Sequence, residues 1–534
     1  MTDLYTGAHI FTADRRRWAT AMVVRDRRFV YVGDEETAHR IAGPDVVATD
    51  LDGALVLPGF VDAHAHIVGT GEAAGHVDLW GALTLDEIQR RIRAFADEHP
   101  DAPRIRAHGW QHGAVGGPPT RELLDAVVVD RPVYAMAYDF HSIWLNSAAL
   151  AEIGVVEDTV TPAGGTVHRD SEGHPTGWID EVAMEDLVLS VLEEWITDEA
   201  RDAALQAALR GYRETGVTAA TDMAVTETEL AAMVRAERAG TLTTRITGHW
   251  RLFPASDPAG DLAGVARAVE LARTHGSEWF RITGIKVMID GTVDGCTAVL
   301  GRPYANGTNA DPIWSLAALA PVVIAADAAG LQVAMHAIGD EAVRIAIAAV
   351  EAAVAANGPR DRRHRIEHLE VVETADIERL AALGIIASMQ PVHSDPAIEG
   401  NWKAMLGDAR AERGWPFPEM TDAGARLVFG TDSPTSPHAP LPNMFIAATR
   451  RSALDPILPP NVPEFAVPLV EAIEHGTRDA AWACRAEDDY GRIAAGLHAD
   501  FLVLDRDVFA VPLDELLQAR VRRTVVGGTV VHEA

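Results

Sequence analysis

Eight short apolar runs punctuate the middle of the chain, at residues 55–61, 217–221, 244–249, 281–289, 332–336, 365–369, 385–389 and 426–430. Each has the length and residue types of a buried β-strand. Helical patterns lie between most of them, with residues 261–275 and 341–356 the clearest. Eight strands alternating with helices predict an α/β fold built on a (β/α)8, TIM-type barrel.

The two ends share a different texture. Residues 4–56 contain Ala21-Met22-Val23-Val24 and Arg28-Phe29-Val30-Tyr31-Val32, and residues 491–534 contain Phe501-Leu502-Val503-Leu504 and Thr524-Val525-Val526. Short β-branched runs broken by Gly and Asp signal strands and turns. The ends are expected to pair into one small β-sandwich, residues 1–56 plus 485–534, flanking a barrel of residues 57–69 plus 201–484. About 150 residues separate the first apolar run from the second, far more than an ordinary connection between a strand and a helix. Residues 70–200 are therefore expected to form an insertion covering the substrate pocket, with strand-like runs at 104–108 and 133–138.

Composition narrows the partners. A net charge of -32, from 46 basic and 78 acidic residues, repels nucleic acid and anionic membranes. Cys296 and Cys484 are too few for a disulfide framework, which fits a reducing cytoplasm. The start, Met1-Thr2-Asp3-Leu4-Tyr5, lacks a basic segment leading into an apolar one. The most apolar stretch, residues 316–326, contains Pro321 and is too short to span a bilayer. A cytoplasmic protein acting on a small molecule is expected.

Chemistry gathers at the ends of the apolar runs. In Pro58-Gly59-Phe60-Val61-Asp62-Ala63-His64-Ala65-His66, an apolar strand leads into His-x-His. Side chains two apart on a strand share a face, so His64 and His66 aim together, as two imidazole ligands of one metal must. A lone His-x-His also fits two incidental surface histidines. However, His336, His368 and Asp432 each follow a separate apolar run, and strand ends are where barrel enzymes place their catalytic groups. Lys286 lies inside Thr283-Gly284-Ile285-Lys286-Val287-Met288-Ile289, where an unpaired amine is costly to bury. Two accounts fit it: an ion pair with Asp290 or Asp294, or a carbamate formed with carbon dioxide that bridges two metals. Glu367, next to His368, is expected on the opposite strand face, either supporting a ligand from behind or in a structural role.

These motifs resemble the amidohydrolase superfamily, and within it the amidohydrolase 3 (YtcJ-like) family related to N-substituted formamide deformylase. The resemblance rests on Leu57 to His66, Pro119-Thr120-Arg121, His141-Ser142-Ile143-Trp144-Leu145-Asn146-Ser147, Pro175-Thr176-Gly177 and Gly216-Val217-Thr218. It continues through Ile285-Lys286, Asp290-Gly291, His336-Ala337-Ile338-Gly339-Asp340, Arg365-Ile366-Glu367-His368, Gln390-Pro391-Val392-His393-Ser394-Asp395, Gly430-Thr431-Asp432-Ser433-Pro434 and Ala499 to Leu504. It implies the same barrel, sandwich and insertion. It also implies two zinc ions, one on His64 and His66 and one on His336 and His368, bridged by N6-carboxylated Lys286. Asp432 is expected both to bind metal and to move the proton during hydrolysis of a C–N bond. A homodimer is the family expectation.

The chain departs from relatives in two places. Where they usually read Gly-Ser-Leu-Gly-Ser-Arg, this chain has Gly291-Thr292-Val293-Asp294-Gly295-Cys296, and an Asp common after His108-Gly109-Trp110 is Gln111. Trp110, His141, Trp144, Asp294, Cys296 and His393 are the candidate substrate-binding residues, with ordinary packing the alternative for each tryptophan. A single-metal deaminase would carry a glutamate three residues after His336, where this chain has Gly339. An esterase of the same superfamily, or a binding protein derived from it, completes the alternatives.

Overall fold

A computed structural model describes residues 2–162 and 164–534. Its centre is one sheet of eight parallel strands in sequence order: β1 (Phe60–Ala65), β2 (Val217–Val225), β3 (Arg245–Arg251), β4 (Phe280–Met288), β5 (Gln332–Ala337), β6 (Arg365–His368), β7 (Ile386–Met389) and β8 (Arg426–Phe429). Nearly every residue of these strands is buried, which explains why they read as continuous apolar runs and not as alternating ones.

The barrel closes between β8 and β1. The Asp432 N–H donates to the His64 carbonyl at 2.7 Å, and the His66 N–H to the Ser433 carbonyl at 2.8 Å. Just below, the Asp62 carboxylate accepts from the Thr431 N–H at 2.9 Å and from its hydroxyl. Gly430 is required at this seam, because a Cβ there would lie 2.4 Å from the His64 nitrogen. Helices pack outside. The helix Asp340–Asn357 buries Val343, Ala346, Ile347 and Val350, positions three and four apart on one face.

The expected first strand, 55–61, is two strands. Leu55–Pro58 pairs with Phe501–Leu504, while the barrel strand begins at Phe60. Gly59 marks the handover. Its N–H donates to Asp500 while that of Phe60 donates to Gly216, so one apolar run serves two sheets.

Strands from both ends interleave. A six-stranded sheet runs Thr529–Glu533, Val521–Val526, Phe501–Leu504, Leu55–Pro58, His9–Phe11, Trp18–Ala19, and a four-stranded sheet holds Arg28–Gly33, Ala21–Arg25, Thr2–Thr6 and Ala48–Asp50. They share a core of Tyr5, Ile10, Met22, Val24, Phe29, Val56, Phe501 and Val525. The segment between β1 and β2 carries a further six-stranded sheet, which includes Ile105–Trp110 and Val133–Ala137 near the two expected runs. Its other four strands have two to six residues each. Among the described residues, no helix is long and apolar enough to cross a membrane.

Candidate metal centre

The site is built from the carboxyl ends of the barrel strands. On β1, Asp62 and His64 share the inward face with His66 just beyond, and all three point toward the end of β8. Asp432 has φ +58°, an uncommon conformation for a non-glycine residue. The turn swings its carboxylate inward, so that Oδ1 lies 3.2 Å from both His64 Nε2 and His66 Nε2. His368 also has positive φ, +79°, followed by Leu369 at +50°. Its Nδ1 donates to Gln390 Oε1 at 2.8 Å, since an amide oxygen only accepts, so Nδ1 carries the proton. The His336 ring centre is 4.5 Å from that of His368, and its Nε2 donates to the Gly291 carbonyl at 3.2 Å.

The expectation for Glu367 was wrong in orientation. Period-two alternation puts it opposite His368, but the left-handed backbone at His368 breaks the alternation and brings both inward. Glu367 Oε2 accepts from His64 Nδ1 at 2.7 Å, and the same carboxylate is forked by Arg365, with all three side chains essentially fully buried.

This contact decides the chemistry of His64. A carboxylate only accepts, so Nδ1 bears a proton, which leaves Nε2 as the atom that can present a lone pair to a metal. That lone pair faces Asp432 Oδ1, also an acceptor, at 3.2 Å. Both atoms are buried and neither has a hydrogen-bond partner. Two acceptors in contact repel unless a cation lies between them, and buried polar groups are otherwise almost always satisfied. The residues therefore fit a metal ion. His64, His368 and Asp432 each offer a ligand atom within 4.8 Å of the others.

Electrostatics agree with that fit. Burial pushes His336 and His368 well below the usual imidazole range, so each is neutral, the form that binds metal. Burial opposes the charge on Asp432, and its carboxyl lies well below the usual carboxylate range only where positive charge stands beside it, in His64, His66 and His368 when protonated or in a bound cation. Lys286 is 1 % exposed and burial draws its amine down to about 8, against the pull of Glu367 and Asp432. Neither anticipated ion-pair partner reaches it. Asp290 accepts three backbone N–H groups, from Val299, Ile338 and Gly339 at 2.8–3.0 Å. Asp294 accepts from the Tyr138 hydroxyl and from Asn401 Nδ2. Among the described residues, Lys286 makes no hydrogen bond or ion pair.

Two further histidines face the centre, and each is held by a glutamate. His141, from the inserted sheet, sits 5.5 Å from the His336 ring and pairs with Glu181 Oε2 at 2.9 Å. Burial works against its charge, but Glu181, Asp139 and Asp290 push its pKa up to about 9. His393 pairs with Glu370 at 3.0 Å and has its other nitrogen 3.8 Å from Asp432 Oδ2; burial opposes its charge too, but Glu370 raises its pKa. The other substrate-pocket candidates fall differently. Trp110 and Trp144 are fully buried, 5.7 Å apart, with their indole N–H groups on the carbonyls of Ala135 and Thr120. Both are core of the inserted sheet. Asp294 ties the loop after β4 to that sheet through Tyr138. Cys296 is half-buried with its sulfur 3.1 Å from Met405 Sδ, and burial and Asp294 raise its thiol.

Sequence reasoning missed three residues that orient the candidates, Glu181, Glu370 and Gln390, and also the buried carboxylate of Asp222. Asp222 carried a readable signal, a carboxylate in the apolar strand β2, where it accepts from the N–H groups of Ile67 and Ala224. Glu181 and Gln390 carried none, because their partners lie 40 and 22 residues away.

Comparison with known proteins decides the family. The profile described as the amidohydrolase family matches residues 47–532. The chain belongs to the amidohydrolase family. It is 28% identical to N-substituted formamide deformylase from Arthrobacter pascens, across 100% of this chain and 99% of that one. It is 29% identical to the protein LONG AFTER FAR-RED 3 of Arabidopsis thaliana, across 98% and 90%. The crystal structure of a metal-dependent hydrolase from Pyrococcus horikoshii superposes with a TM-score of 0.76 at 26% identity, covering 96% of this chain and 99% of that one. This amidohydrolase is accordingly a hydrolase.

Proposed function

We propose that the chain is a metal-dependent hydrolase that cleaves a C–N bond, of an amide or formamide, in a small molecule. The observation that carries the metal is the pair of unpartnered acceptors, His64 Nε2 and Asp432 Oδ1, held face to face in a buried site. Similarity over its whole length to a formamide deformylase supports the bond type.

Two zinc ions are proposed, one held by His64 and His66 and one by His336 and His368, with Asp432 as a further ligand. Carboxylated Lys286 would bridge them. The lysine's burial without a partner supports this, since a carbamate would give it one. When bound, such metals polarise a carbonyl and lower the pKa of water from 15.7 toward about 7. Asp432, ionised and at the barrel mouth, accepts the proton of the attacking water and returns it to the leaving nitrogen, which is general acid–base catalysis. His141 keeps its proton through Glu181 and offers an N–H to the substrate carbonyl oxygen. His393 does the same from the opposite wall. Glu367 fixes the ring of His64, and the inserted sheet covers the mouth.

A deaminase is disfavoured by Gly339. A Cβ at that position would lie 2.1 Å from the Val299 carbonyl oxygen, which leaves no room for a glutamate side chain. The test is Asp432→Asn, assayed against a panel of amides, formamides and esters. Fold is expected to be retained while turnover falls by about two or more orders of magnitude. Unchanged turnover would remove Asp432 from the proton-transfer role.

A further inference from the structure

The end of the barrel away from the metal centre holds a second polar cavity. It has a volume of about 260 Å³ and lies where the starts of β3 and β4 meet the segment before Phe501 and the turn at Arg28. Three arginines line it: Arg28, Arg245 and Arg281. Their partners differ. Arg245 is fully compensated, with Nε 2.7 Å from Asp500 and Nη1 2.6 Å from Glu278. Arg28 donates only to the Gly496 carbonyl at 2.7 Å and to His498 Nε2 at 3.1 Å. Arg281 donates to the Cys484 carbonyl at 2.9 Å and to the Thr247 hydroxyl at 3.4 Å. Two guanidiniums thus face one cavity with neutral partners, in a chain of net charge -32.

His498 adds an independent observation. A guanidinium cannot accept, so the Arg28 contact makes Nε2 the acceptor and places the proton on Nδ1. Burial and the nearby Arg245 keep the ring neutral. Nδ1 is buried and has no hydrogen-bond partner; the nearest carboxylate oxygen, of Glu278, is 3.7 Å away, beyond hydrogen-bond reach. The residue is 5 % exposed. A buried donor left unmade beside two uncompensated cations calls for an acceptor carrying negative charge.

We infer that this cavity is a binding site for a small oxyanion of the phosphate class, held by Arg28, Arg281 and His498. It is separate from the metal centre, since Arg281 stands at the start of β4 and Lys286 toward its other end. Asp489 and Glu278, the latter paired with Arg245, also line the cavity and oppose an anion, so they limit its affinity.

Inorganic phosphate titrated into the purified holoenzyme at constant ionic strength, followed by calorimetry and by the thermal midpoint, tests the site. Saturable binding with a rise in midpoint is expected. Arg28→Gln, a change at a surface turn that spares the barrel, and Arg281→Gln should each raise the half-saturating concentration about tenfold or more, the loss of one charged hydrogen bond. Asp489→Asn should lower it. Binding that persists unchanged in Arg28→Gln and Arg281→Gln would place the phosphate elsewhere, such as at the metals, and overturn the proposal. A rise in midpoint matched by chloride, or no saturation, would also overturn it.

Discussion

Glu367→Gln probes the least visible part of the account. Glu367 is fully buried and its carboxylate serves two partners, His64 Nδ1 at 2.7 Å and the fork of Arg365. The substitution keeps the shape and removes the charge. One oxygen remains to accept from His64, and an amide now faces a guanidinium that can only donate. Two effects follow. The ring of His64 is held less firmly, by a neutral oxygen in place of a carboxylate, and partners of this kind are worth about 10–100-fold in metal affinity, or roughly 1.4–2.8 kcal/mol. Arg365, also fully buried, loses its counter-ion, and removing one member of a buried pair costs about 3–5 kcal/mol. The retained oxygen keeps the expected cost near the lower figure. A competition titration against a chromophoric zinc chelator reads the first effect and a melting curve of the metal-free protein reads the second. Zinc affinity within about twofold of the parent, with an unchanged melt, would refute the claim that Glu367 sets the tautomer and aim of His64.

The paired histidines give a pH prediction. The folded pKa of His141 is raised from 6.5 to about 9, so the His141–Glu181 pair contributes fully below the ordinary imidazole range and its contribution is lost as pH rises through about 9. Glu181→Gln should move the alkaline limb of kcat/KM toward 6.5, and a limb that stays put would remove His141 from the mechanism. Tyr138→Phe deletes the hydroxyl that donates to buried Asp294 and ties the inserted sheet to the loop after β4. It should raise KM by about tenfold or more with metal content unchanged; an unaltered KM would make that contact incidental.

Much of this was readable from residue order. The eight barrel strands announced themselves as apolar runs because both their faces are buried, and the candidate ligands stood out as polar residues ending those runs. What could not be read has specific causes. Gly59 sits inside an unbroken apolar run, so the change of sheet at that residue leaves no mark in hydropathy. The inserted sheet's shortest strand has only two residues, too few to show a period. The contact that orients His64 spans 303 residues, and the side chain supplying it was assigned to the wrong face because the φ of +79° at His368 is a tertiary outcome. Lys286 was legible as anomalous but ambiguous. Only the placement of Asp290 on three backbone N–H groups and of Asp294 on Tyr138 and Asn401 removes both from reach of its amine.

The central claim is a two-metal centre organised around Lys286, and the most direct test is metal content by mass spectrometry of the purified chain beside Lys286→Ala. The account predicts about two zinc ions per chain, falling clearly in the mutant, as a bridged pair requires. One metal indifferent to the mutation, or none after growth with added zinc, would contradict it.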